Sequence, residues 1–165
     1  MTNQLADRVD ITHYLAEVRA TPADAQALAA EFTDFTVMDG RVYAQGDDFQ
    51  IFRGLLWGVA DKRRDDRVET ADKGALAAHK ALLAHPRRPL GMDRVAWVTK
   101  GLDLHAAVVA AIVELCDAKQ DAELFSASHA DKVRADARTE HAYAVRLMQA
   151  TVMRAVRSFR AARRA

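Results

Sequence analysis

The 165 residues carry 24 Lys and Arg against 23 Asp and Glu; 50% are hydrophobic, 28% are charged, and there is one cysteine. That composition suits a single folded domain over residues 1–165 and excludes a disordered chain, an intramolecular disulfide and a cysteine-based metal cluster. The longest apolar run, Ala106 to Val113, falls well short of the roughly 20 residues that a membrane-spanning helix needs. The first ten residues, MTNQLADRVD, lack the basic start and apolar stretch of a signal peptide, so a cytoplasmic protein with no membrane partner is expected.

The elements follow from the N-terminus. ADRVDITHYLAEVRA predicts a helix with Tyr14, Leu15 and Val18 on one face. TPADAQALAAEF predicts a second, with Thr21 as N-cap, Pro22 at the first helical position and Asp24 in the first turn. FTVMDGRVYA reads as a β-hairpin at about 35–44, because Asp39-Gly40 suits the positive φ angles of a type I′ turn. Phe52, Leu55, Leu56 and Val59 then mark a buried helix, which the DKRRDDR segment is expected to end in solvent. Thr70 to His85 forms another helix, stopped by Pro86. Asp93 caps a helix through Val95, Val98 and Leu102; Gly101 is a candidate break before a further stripe of Leu104, Val108, Ile112 and Leu115. Ser128 and Asp131 resemble a capping box, and from there to about Ala162 neither glycine nor proline interrupts a long final helix. The expected fold is mainly α: a helical bundle of about six or seven helices with one hairpin.

Charge is unevenly placed along this order. Residues 1–50 hold three arginines against nine acids, whereas Lys132 to Arg164 hold nine bases against Asp136 and Glu140. On a helical wheel Val145, Met148, Val152, Ala155, Val156 and Phe159 share an arc of about 100°. Arg146, Arg157 and Arg164 line up on the other side, with Arg160 beside them and Arg154 and Arg163 at the flanks. Arginine forms flat, bidentate contacts with phosphates and carboxylates. These six residues are therefore the candidate binding residues, for nucleic acid or an acidic protein surface. A solvated basic helix end, favoured by the helix dipole, is the plainer alternative. So is pairing with the acidic first fifty residues, within the chain or across a homodimer. A membrane surface fits less well, since the apolar face has Phe159 as its one large aromatic.

Other chemistries find little support. In a winged-helix reading TPADAQALAAEF would enter DNA and FTVMDGRVYA would be the wing, but the helix has no basic residue and the wing has Arg41 alone. The six histidines, His13, His79, His85, His105, His129 and His141, include no pair at helical spacing, so no metal site is expected. His141 falls on the core line of the last helix, where it is expected to donate one hydrogen bond. There is no GxSxG elbow or Gly-rich phosphate loop, and Cys116 sits in an apolar helical stretch. The adjacent acids Asp47-Asp48 and Asp65-Asp66 would point about 100° apart on a helix. No cofactor is called for, and the reading leans away from an enzyme. Catalysis would need a site assembled by the fold, such as His79 or His105 meeting acids in a pocket.

Overall fold

A computed structural model describes residues 8–45, 49–85 and 94–162. They are mainly helical, with a small three-stranded antiparallel sheet and five helices. The chain divides into two compact units, Met1–Asp66 and Arg67–Ala165.

The first unit contains β1 (Arg8–Asp10), α1 (Thr12–Glu17), α2 (Pro22–Glu31), β2 (Phe35–Met38), β3 (Arg41–Gln45) and the start of α3 (Phe49–Leu83). The predicted hairpin is present: Met38 pairs with Arg41, and Asp39 and Gly40 both take positive φ, 51° and 75°. Those angles are the ones a two-residue type I′ loop requires. The predicted first helix is shorter than expected. Arg8–Asp10 instead form β1, which pairs with β3 so that Arg8 faces Gln45 and Asp10 faces Tyr43, giving the order β1-β3-β2. Asp10 Oδ1 accepts from the Thr12 backbone N–H at 2.9 Å, and Thr12 Oγ1 accepts from Val42 N–H at 3.0 Å. This relay fixes the strand-to-helix corner, where a continuous helix would have left β3 unpaired on that side.

Thr21 caps α2 as expected and forms a capping box with Asp24. Asp24 is only 4% exposed and also accepts from Arg63 Nε on α3 at 2.9 Å. Ile11, Leu15, Val18, Leu28, Phe35, Val42, Phe52 and Leu56 make up most of the core, with Phe35 edge-on to Phe52 at 4.7 Å. Burying each such side chain contributes about 1.5–3 kcal/mol.

In the second unit the rest of α3 is followed by α4 (Arg94–Asp121) and α5 (Ala127–Ala162). Two expected breaks do not occur, which is why there are five helices. DKRRDDR lies inside α3, because its charges find partners: Arg64 meets Asp61 at 3.2 Å, and Arg67 meets Glu114 at 3.1 Å and Asp121 at 3.4 Å. Gly101 lies within α4 and is buried. A left-handed Glu123 (φ 59°) turns the chain out of α4. The cap of α5 is also displaced from the expected Ser128. Ser126 Oγ accepts from His129 N–H at 3.2 Å, while Asp131 accepts from Arg134.

Candidate functional site

The 36 residues of α5 extend about 54 Å at 1.5 Å per residue. Its inward face is built on Ala130, Ala137 and Ala144, all buried and seven residues apart. A methyl group at each position lets the α4 backbone come close. His141, Val145, Met148 and Val152 are half-buried on the same side. Arg134 anchors the helix near its start: it donates to Asp117, to Gln120 Oε1 at 2.9 Å and to Asp131 Oδ1 at 2.8 Å. Its hydrogen bond to Asp117 pushes its pKa further up. The predicted core residues Ala155, Val156 and Phe159 have side chains outside the described set.

Of the six predicted binding arginines, Arg146, Arg154, Arg157 and Arg160 are exposed. Arg163 and Arg164 lie outside the described residues. Arg154 Nε donates to the Ala150 carbonyl one turn back, at 3.4 Å. No acid occurs from His141 to the end of the sequence, so α5 offers none of these arginines an (i, i+3) or (i, i+4) carboxylate C-terminal to Glu140.

The sequence reading missed a second component of this face. Tyr143, Leu147 and Met153 are 64%, 48% and 53% exposed. At about 100° per residue they fall on the same side of the helix as Arg146, Arg154 and Arg157. The same wheel that sorted the arginines could have found them. The outward face is thus cationic with apolar and aromatic groups between the charges, so it can offer both ionic contacts and a π surface.

The structure also brings together histidines that the sequence does not pair. His85, just beyond α3, stacks on Trp97 of α4 at 5.3 Å, and His105 of α4 lies 6.3 Å from His141 of α5, ring centre to ring centre. His141 faces inward as expected, but its buried Nδ1 finds no hydrogen-bond partner among the described residues, contrary to the expected bond. Burial pulls the His105 pKa below its ordinary value, helped by His141 and His85 and opposed by Glu140. Among the described residues no group of three or more His, Cys, Asp or Glu side chains could hold a metal ion. Cys116 is buried, and burial pushes its thiol pKa up, away from the reactive thiolate.

In the first unit, α2 followed by the β2–β3 hairpin is the succession that a winged helix needs. The exposed surface of α2 presents Gln26, Glu31 and alanines, and Arg41 at the hairpin is engaged with Asp10 at 3.3 Å. A groove of about 440 Å³ is lined by Glu17, Val18, Arg53, Gly54 and Trp57, with Glu17 and Arg53 paired at 2.6 Å. It contains no histidine. No described helix is long and apolar enough to cross a membrane.

The chain matches no family model, no curated protein and no solved structure.

Proposed function

We propose that the protein is a non-enzymatic helical binding protein whose final helix, α5, engages nucleic acid through its outward face. The observation that carries this reading is the exposure of Arg146, Arg154, Arg157 and Arg160 on a helix segment without a single acid. Guanidinium groups spaced along one side of a rod suit the regular anionic spacing of a phosphate backbone. Arg163 and Arg164 continue the sequence pattern toward the C-terminus. The acids of the first unit favour this reading over pairing within the chain, since several are engaged locally: Asp10 with Arg41, Glu17 with Arg53 and Asp24 with Arg63. In this reading the protein is cytoplasmic and Cys116 remains a thiol.

Binding to DNA and RNA in a mobility-shift salt series tests it. Four phosphate contacts give a slope on the order of −4 for log affinity against log salt on duplex DNA. Charge reversal at Arg146, Arg157 and Arg160 should remove that dependence. Binding that is absent, or indifferent to salt, rules the reading out.

A second reading is self-association, in which the acidic N-terminal region of one copy meets α5 of another. It is favoured by the charge segregation between residues 1–50 and Lys132–Arg164 and by the length of α5. Sedimentation of the wild type beside an Arg157→Glu/Arg164→Glu variant separates the two. A dimer that the substitutions dissociate supports self-association; a monomer in both cases counts against it.

A further inference from the structure

The second unit encloses a cluster of imidazoles that the nucleic-acid reading does not use. His85 comes from the chain just after α3, His105 from α4 and His141 from α5, so three separate segments meet there. The packing between them is tight. A Cβ on Gly101 would lie 2.7 Å from Met148 Cε and 3.2 Å from His85 Nε2, so the absent side chain is what lets α4 receive both neighbours. Both ring nitrogens of His85 and Nδ1 of His141 are buried without a hydrogen-bond partner among the described residues.

Neutral imidazole tolerates such a setting at the cost of unmade hydrogen bonds. At His105 burial disfavours the imidazolium, which adds a charge and a second N–H beside the other two rings. The groups acting on His105 are His85 from α3's end and His141 and Glu140 from α5. Glu140 is thus the one carboxylate among them, set against two imidazole neighbours. Protonation therefore introduces repulsion that a single exposed acid does not cancel.

We propose that the packing of His105 against His85 and His141 forms a proton-sensitive clasp, which holds α4 against α5 while the His105 ring is neutral and loosens that packing when His105 takes up a proton. The direction follows from linkage. The folded unit binds a proton at His105 more weakly than the unfolded chain does, so stability is fully present above pH 6.5, the ordinary histidine value, and is lost as the pH falls through and below it. The clasp is independent of what the outer face of α5 binds.

Amide hydrogen exchange on the full chain at pH 7.5 and 5.5, corrected for the intrinsic pH dependence of exchange, tests the clasp. The β2–β3 hairpin serves as internal reference. Protection in residues 97–108 and 137–148 should fall relative to the hairpin between pH 7.5 and 5.5, because the open form binds the His105 proton more tightly than the closed form does. A His105→Gln/His141→Gln variant should show no such differential loss. Equal behaviour of helices and hairpin in the wild type, or an undiminished loss in the variant, overturns the proposal. Should the variant not fold, imidazole NMR of the wild type decides. The His105 ring must titrate below 6.5, with a midpoint that coincides with the loss of protection; a midpoint at or above 6.5 overturns the clasp.

Discussion

Asp24 and Arg63 allow the sharpest test of how the first unit is held together. Asp24 is 4% exposed and accepts four contacts: from Thr21 N–H at 2.6 Å, Thr21 Oγ1 at 2.9 Å, and Arg63 Nε at 2.9 and 3.2 Å to its two oxygens. Breaking a buried pair by removing one partner costs about 3–5 kcal/mol. Arg63→Ala should cost less, about 2–3 kcal/mol, because Thr21 still donates to the stranded carboxylate. Asp24→Ala loses the capping box, about 1 kcal/mol, and a charge-assisted bond worth about 1.5–3 kcal/mol. It strands no buried charge, since the Arg63 side chain is 36% exposed and can turn to water. The double variant should therefore be less destabilised than the sum of the singles, with a coupling of about 1–2 kcal/mol. Urea unfolding followed by Trp57 fluorescence in a Trp97→Phe background reads this unit. A coupling under about 0.5 kcal/mol, the usual scatter for independent sites, would mean that the contact holds nothing.

Gly40→Ala places a side chain at φ 75°, where a left-handed L-residue costs about 1–2 kcal/mol. The same urea experiment should show that loss, and an unchanged midpoint would mean that the turn is not type I′ in solution. Cys116 is 1% exposed with a raised thiol pKa, so the native protein should react with a disulfide reagent at pH 8 roughly 100-fold more slowly than a free thiol. Urea should abolish that protection; rapid reaction of the native protein would contradict the burial. Charge reversal on α5 at Arg146, Arg157 and Arg160 should leave the melting temperature nearly unchanged while removing salt-dependent nucleic-acid binding, since these side chains lie in solvent.

The features legible in the sequence are those governed by local chemistry. Asp39-Gly40 specifies its own turn, and Thr21, Pro22 and Asp24 specify a helix start, because each acts over three or four residues. The last helix and its inward face were readable from spacing alone through Val152. What failed depended on partners distant in the chain. DKRRDDR reads as a solvated end until Asp24, Glu114 and Asp121 are found opposite Arg63 and Arg67. Gly101 reads as a break until Met148 and His85 are seen against it. Arg8–Asp10 carry no strand pattern of their own and become one by pairing with β3. The histidines are the extreme case, because no spacing rule joins residues 85, 105 and 141.

The pairing of β1 with β3 also bears on how the protein is made. A ribosome adds about 5–20 residues per second, so β1 waits roughly 2–7 s before the partner residues 41–45 exist. During that interval Val9 and Ile11 have no sheet to join. The first unit is thus the slow and vulnerable part of synthesis, while α4 and α5, joined by a five-residue turn, can close on each other as soon as both are extruded.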